Sequence, residues 1–234
     1  MPRTELLRPL PELLSENASR YGERIAFADS RRAVTHAELA ARTARVAGHL
    51  ADLGVWPSDR VAVFTDGVTA VESIVAISRA GAIAVPLDPA LDDVELARLI
   101  ADSGAETVIT DADRAARVRA LDPAPLNVIV DGDEFEALAT TDPEEPARDD
   151  LTLDDLAFLV YTAGTTGPRK GVLSSQRNAL WSAAAAYAPV LGLSEEDRLL
   201  WPLPVHDGLA HHLAVLATIA VGASVRFADV TDSA

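Results

Sequence analysis

Short apolar runs alternate with segments of helical periodicity along most of this 234-residue chain. The runs include RVAVFT at 60–65, AIAVPL at 82–87 and ETVITD at 106–111. Strands of a parallel sheet are apolar almost continuously, because helices cover both faces of the sheet. The alternation therefore predicts an α/β fold with a mostly parallel sheet and helices on both faces.

Helix signals between these runs support the same architecture. In the stretch THAELAARTARVAGHLADLG, Thr35 and Glu38 have the spacing of a capping box, and Gly54 marks the stop. Further helices are predicted over 10–21, 68–80, 174–188 and 208–221 from their periodicity.

The alternation of apolar runs and helical segments, and its interruption, predict three parts of the chain. Residues 1–130 form a first α/β subdomain, and residues 151–234 form an incomplete α/β segment that carries a glycine-rich loop. Between them, 131–150 contains two prolines among many acids, and 131–155 holds eleven acidic side chains against one arginine. This composition is typical of a solvated surface connector.

Composition excludes several classes of protein. The chain has no cysteine, so it has neither disulfides nor thiolate metal sites, and its net charge of −16 argues against a nucleic-acid surface. The first residues lack a signal-peptide pattern, and the longest uncharged stretch, 208–225, includes two histidines. We therefore expect a cytoplasmic protein with no membrane span.

The stretch YTAGTTGPRKGV at 161–172 contains the only lysine of the chain, while all 19 other basic residues are arginine. Backbone N–H groups of a glycine-rich turn, hydroxyl groups and one ammonium are groups that bind phosphates. We expect residues 163–169 to be exposed and mobile without ligand. The candidate phosphate-binding residues are Thr162, Gly164, Thr165, Thr166, Gly167, Lys170 and Gly171.

The spacing excludes two common phosphate loops. A Walker A loop has Gly immediately before its Lys and Ser or Thr after it, whereas Arg169 precedes Lys170 here and Gly171 follows. The glycine spacing also departs from the dinucleotide fingerprint. The alternative is a flexible loop with a solvated lysine, but the strand before it and the helix expected directly after it favour a phosphate site.

This loop resembles the signature loop of the AMP-forming adenylating enzymes, which include acyl-CoA synthetases, peptide-synthetase adenylation domains and fatty-acyl-AMP ligases. Their usual form is Tyr-Thr-Ser-Gly-Thr-Thr-Gly-x-Pro-Lys-Gly-Val. Two departures stand out: Ala163 replaces the serine, and Pro168 and Arg169 reverse the x-Pro order. The resemblance extends along the whole chain, which is similar to the N-terminal portion of such an enzyme.

The resemblance implies ATP-dependent activation of a carboxylic acid to an acyl-adenylate with Mg²⁺ assisting, and neither ATP nor Mg²⁺ is expected to be bound tightly. It also places His206, in WPLPVHDGLAHH, in the acyl pocket. A histidine with only a local hydrogen bond is the alternative. His211 and His212 are expected at a helix start, and no metal site is expected near them.

The family's metal-holding glutamate motif has no counterpart in these residues. Its C-terminal catalytic lysine has none either, since Lys170 is the only lysine. We therefore expect no catalytic residue here and no activity of these residues alone. Three interpretations stay open: half of a split or excised ligase, a degenerate adenylation-like module in polyketide or nonribosomal peptide biosynthesis, or a nucleotide-binding regulator. The expected partners are the missing C-terminal half, a carrier protein or synthase domain, or a second copy.

Overall fold

The computed structural model describes residues 1–148, 150–162 and 167–228. Their strands are β1 Ile25–Ala28, β2 Ala33–Thr35, β3 Arg60–Phe64, β4 Ile83–Pro86, β5 Thr107–Thr110, β6 Asn127–Val130, β7 Leu156–Tyr161, β8 Gly171–Ser175, β9 Arg198–Trp201 and β10 Ser224–Phe227. Their α-helices are α1 Leu10–Tyr21, α2 His36–Asp52, α3 Gly67–Arg79, α4 Asp93–Ser103, α5 Ala112–Arg119, α6 Asp133–Thr140, α7 Gln176–Ser182 and α8 Thr218–Val221. None of these helices is long and apolar enough to cross a membrane.

The strands form two sheets. One has the order β6-β5-β3-β4-β7-β8 and is parallel except for the β7–β8 pair. The other has the order β2-β1-β10-β9 and is parallel except for β1–β2. The α/β class with mostly parallel strands is therefore confirmed, but the strands divide between two sheets where the sequence suggested one.

Helix α3 lies between the two sheets. It contacts β1 of the smaller sheet and β3, β4 and β7 of the larger one, and every residue from 68 to 79 is buried. Asp66 accepts a hydrogen bond from the first backbone N–H of α3, which fixes the start of the helix. On the opposite face of the larger sheet, α4 and α5 pack against β3 and β5 through Leu96, Leu99 and Val118.

Several predicted helix boundaries are confirmed at atomic detail. Both hydrogen bonds of the Thr35–Glu38 capping box are present at the start of α2. Helix α2 ends at Asp52, and the predicted stop, Gly54, follows with a left-handed φ of 84° that favours glycine. The predicted helices at 174–188 and 208–221 contain π-helical segments, Ala183–Tyr187 after α7 and Ala210–Ala217 before α8.

The segment predicted to be a surface connector contains a packed helix. Helix α6 contacts α2, and the ring of Phe135 is fully buried. Acidic residues dominate its exposed face and hide the short apolar pattern, so the sequence did not predict this helix.

The residues after α6 also pack on α2. The carboxylate of Asp52 accepts hydrogen bonds from the backbone N–H groups of Glu144 and Glu145, at 2.9 and 3.0 Å. A Cβ atom at Gly48 would lie 2.1 Å from the carbonyl oxygen of Glu145. Gly48 therefore permits this close approach, and the described part of 131–150 belongs to the folded domain.

A buried charge network joins α2, α3 and α6. Glu72 of α3 is fully buried and pairs with Arg32 and with Arg42, whose Nε donates to it at 2.6 Å. Arg42 also donates two hydrogen bonds to Glu136 of α6. Burial alone would lower the pKa of Arg42, but the hydrogen bonds to Glu136 and Glu72 outweigh it and raise that pKa.

The Glu72→Ala substitution should lower the free energy of unfolding by about 3 kcal/mol, because it removes the fully buried carboxylate that pairs with Arg32 and Arg42. The control is Asp93→Ala, which removes a 71% exposed carboxylate that pairs with Arg117; it should cost less than about 1 kcal/mol. Urea denaturation followed by circular dichroism measures both values. Equal losses for the two variants would contradict a stabilising role for the network.

Candidate functional site

The glycine-rich loop at 161–172 connects two antiparallel strands. Tyr161 of β7 lies opposite Gly171 of β8. Beyond this pair, the backbone N–H of Thr162 donates to the carbonyl of Lys170 at 3.0 Å, and the N–H of Lys170 donates to the Thr162 hydroxyl at 3.1 Å. The loop is therefore the tip of a β-hairpin closed by Thr162 and Lys170.

This arrangement corrects the predicted order of strand, loop and helix. Helix α7 begins only at Gln176, after β8, and β8 spans roughly 17 Å at the usual rise per residue. The N-terminus of α7 consequently lies at the far end of the hairpin and adds no helix dipole at Lys170. The short run GVLSS has too few residues to distinguish a strand from a first helical turn by periodicity.

The loop end of the hairpin is anchored to α4 through Tyr161. The hydroxyl of Tyr161 donates to the carboxylate of Asp102 at 2.7 Å. Burial raises the pKa of Tyr161, and the hydrogen bond to Asp102 raises it further. A Cβ atom at Gly171 would lie 3.3 Å from the Tyr161 ring, so glycine leaves room for this ring beside β8.

A cleft of about 590 Å³ opens beside the hairpin. Its position follows from the sheet, because β4 and β7 are parallel neighbours and their carboxyl ends meet at one edge. One wall is apolar and comes from β7 and β8, and the other wall carries polar side chains. The lining residues used below are Phe158, Val160, Thr162, Arg169, Val172, Asp88, Asp207, His206 and His211.

The predicted site residues divide into three groups. Thr162 and His206 line this cleft together, while Lys170 is exposed beside it and Gly171 begins β8. Gly167 is exposed on the described side of the loop. Gly164, Thr165 and Thr166 lie outside the described residues, as does most of the segment expected to be mobile.

His206 faces an acidic side chain that the sequence interpretation missed. Its Nε2 lies 3.6 Å from Oδ1 of Asp88, which follows β4. Its Nδ1 is buried and has no hydrogen-bond partner among the described residues. The only sequence signal for Asp88 was its position directly after a predicted strand.

His211 is completely buried in the floor of the cleft. Neither of its ring nitrogens has a hydrogen-bond partner within the described part of the chain. Its ring packs edge-on against Phe158, with the centroids 4.7 Å apart. Burial, together with a smaller effect of neighbouring His212, lowers the pKa of His211 to about 3, so the imidazole is neutral at physiological pH.

Comparison with known proteins identifies the class that this fold and hairpin define. A family model described as "AMP-binding enzyme" matches residues 14–234. The N-terminal domain of FACL13 from Mycobacterium tuberculosis superposes with a TM-score of 0.83 at 29% identity, over 94% of this chain and 57% of that one. The protein is therefore an α/β domain of the adenylating-ligase type.

The chain belongs to the AMP-binding enzyme family and corresponds to its N-terminal portion. It is 40% identical over 237 residues to naringenin synthase of Pestalotiopsis fici, covering 94% of this chain. It is 34% identical over 194 residues to feruloyl-CoA synthase of Amycolatopsis, covering 82% of this chain. The chain spans 9% of the first relative and 38% of the second.

The neutral state of His211 is testable by proton NMR. We expect one imidazole resonance that does not shift between pH 8 and about pH 4 and that is missing in His211→Leu. Since a free histidine titrates near about 6.5, the unfolded state gains this proton first as pH falls. The contribution of His211 to the free energy of unfolding is therefore fully present above about pH 6.5. It is lost as the pH falls towards 3.

The contrary result would be a resonance that titrates near pH 6.5 and disappears in His211→Leu. It would mean that the ring is hydrated or hydrogen-bonded and is not sealed against Phe158.

Proposed function

We propose that this chain supplies the phosphate loop and part of the acyl pocket of an ATP-dependent carboxylate-activating ligase. In the reaction, a carboxylate oxygen attacks the α-phosphorus of ATP and forms an acyl–O–P bond. The bond between the α-phosphorus and the bridging oxygen breaks, and pyrophosphate leaves with the electron pair. The products are an acyl-adenylate and pyrophosphate.

The position of Lys170 carries this proposal. It is the only lysine in the sequence, it lies at the closed end of the hairpin, and it is exposed beside the cleft. Negative charge moves onto the departing pyrophosphate during the reaction, so a cation fixed at this point would stabilise the transition state. An ammonium on a flexible stem suits a phosphate group that moves, whereas a guanidinium suits a fixed one.

Mg²⁺ assists ATP in the proposed reaction. No three His, Cys, Asp or Glu side chains within 1–148, 150–162 and 167–228 come together as a metal centre. Mg²⁺ is commonly held by one or two carboxylates together with substrate phosphates. The protein's contribution described here is therefore the cationic loop and the cleft.

The lining of the cleft suits a carboxylic acid whose hydrocarbon part is apolar. Phe158, Val160 and Val172 form its apolar wall, and His206 with Asp88 provides a polar side. One relative is named for a feruloyl group, which is aromatic. We propose an aromatic carboxylic acid as the substrate class, with His206 lining the pocket.

ATP binding tests the role of the loop. We expect isothermal titration calorimetry to detect ATP binding to the chain, and Lys170→Ala should weaken it about tenfold, because it removes one charge-assisted phosphate contact. Arg119→Ala is the matched control, since it removes an exposed positive charge at the end of α5, away from the cleft.

The same preparations test catalysis by these residues alone. We expect no ATP–pyrophosphate exchange with a panel of carboxylic acids, since the family's metal-holding glutamate and second lysine have no counterpart in them. Exchange that survives purification and disappears in Lys170→Ala would contradict this expectation. Equal ATP affinities of the wild type and Lys170→Ala would sink the proposed phosphate role.

A second candidate function is docking of an adenylation-like module on a partner. Strand β9 ends the smaller sheet and has no strand neighbour on its outer side among the described residues. Leu200 of β9 is 70% exposed, and Leu203 and Leu209 nearby in sequence are also exposed. Exposed strand edges and apolar surface promote association. We propose a second copy of the chain or a synthase domain as the partner.

Sedimentation velocity tests this association at micromolar concentration. We expect the wild type to sediment as a dimer or larger species and Leu200→Glu to shift it towards the monomer. The matched control is Leu126→Glu, which places the same charge on an equally exposed leucine beside β6, in the other sheet. A monodisperse wild-type monomer would remove the support for docking through β9.

A further inference from the structure

Arg169 occupies the position at which this loop departs from the family form. The form has proline immediately before the lysine, whereas here Pro168 comes one residue earlier and Arg169 takes its place. A cationic side chain therefore replaces the uncharged proline of the family form.

The Arg169 side chain lies in the cleft. It is among the lining residues with Phe158 and Val160, and its side chain is 29% exposed. Lys170, the next residue, is exposed and does not line the cleft. Two adjacent cations thus occupy different environments, one outside the cleft and one within it.

Among the described residues, Arg169 has one ionic neighbour, Glu95, which is already paired. The distance from its Nε to Oε1 of Glu95 is 3.6 Å, which is too long for a hydrogen bond. Glu95 accepts two hydrogen bonds from Arg98, at 2.8 and 2.7 Å. These bonds, more than the charge of Arg169, lower the pKa of Glu95. Within the described part of the chain, Arg169 donates no hydrogen bond.

The two aspartates that line the cleft interact with groups other than Arg169. Asp88 faces His206 at 3.6 Å and accepts a hydrogen bond from the N–H of Ala90 at 2.9 Å. Asp207 accepts hydrogen bonds from the backbone N–H groups of Leu209 and Ala210, at 2.8 and 3.3 Å. Arg169 is therefore a guanidinium with unused donors beside an apolar wall.

We propose that Arg169 binds the carboxylate group of the acid substrate while the apolar wall of the cleft receives the body of the acid. This assignment rests on the proposed carboxylate-activating function. A guanidinium fork matches the two oxygens of a carboxylate and forms two parallel hydrogen bonds with it. Arg169 then acts as a substrate-binding residue, while Lys170 is left to the phosphates of ATP.

Paired ligands that differ only in charge test the assignment. Isothermal titration calorimetry compares ferulate, benzoate and hexanoate with their methyl esters, using the whole chain. The wild type should bind at least one acid about tenfold more tightly than its ester, because charge-assisted hydrogen bonds form only with the carboxylate. Arg169→Gln should abolish this preference and leave ester binding unchanged, and Arg169→Lys should keep part of it.

Controls separate this assignment from the phosphate role of the loop. Arg119→Gln removes a distant charge and should retain the acid preference, and thermal melting checks that each variant is folded. ATP and pyrophosphate should bind Arg169→Gln as they bind the wild type. A wild type without preference for any acid, a preference that survives Arg169→Gln, or a loss confined to ATP and pyrophosphate would each overturn the assignment. Failure of the phosphate role itself appears separately, as unchanged ATP binding in Lys170→Ala.

Discussion

Helix α3 is buried between the two sheets, and both sheets pack against it. Residues 68–79 are all buried, including Glu72, so the helix needs apolar neighbours on every side and counter-ions at one point. The sheets provide the apolar neighbours, and Arg32 and Arg42 provide the counter-ions. Because the smaller sheet pairs β1 with β10, its formation joins the first and last strands of the described chain.

The same arrangement places the cleft. The parallel strands β4 and β7 end at one edge of the larger sheet, so Asp88 and Thr162 arrive on the same side of the molecule. Asp66, which caps α3, also accepts a hydrogen bond from the N–H of Val205 at 2.9 Å, and this contact holds the segment with His206 against the sheet. The residue that caps α3 thus also positions the polar wall of the cleft.

The sequence was sufficient for the features that depend on local chemistry. Capping at Thr35, the left-handed stop at Gly54 and the apolar strands could all be predicted, because each has a signature within a few residues. The second sheet was not readable, since Phe27 pairs with Val225 across the chain and no local signal specifies that pairing. Within the site, the sequence singled out Thr162 and His206, which line one cleft, but the contacts of Asp88 and Arg169 depend on tertiary packing.

The hairpin explains why the order of Pro168 and Arg169 matters physically. Proline fixes φ near about −65° and has no N–H group, so its position determines where the loop stiffens before β8. With proline at 168, the residue before Lys170 gains a long cationic side chain, and the N–H of Lys170 still closes the hairpin on Thr162. The exchange thus preserves the backbone closure that positions the lysine and adds a guanidinium to the cleft. A change of two neighbouring residues can therefore alter the charge of the cleft while the lysine beside it still closes the hairpin.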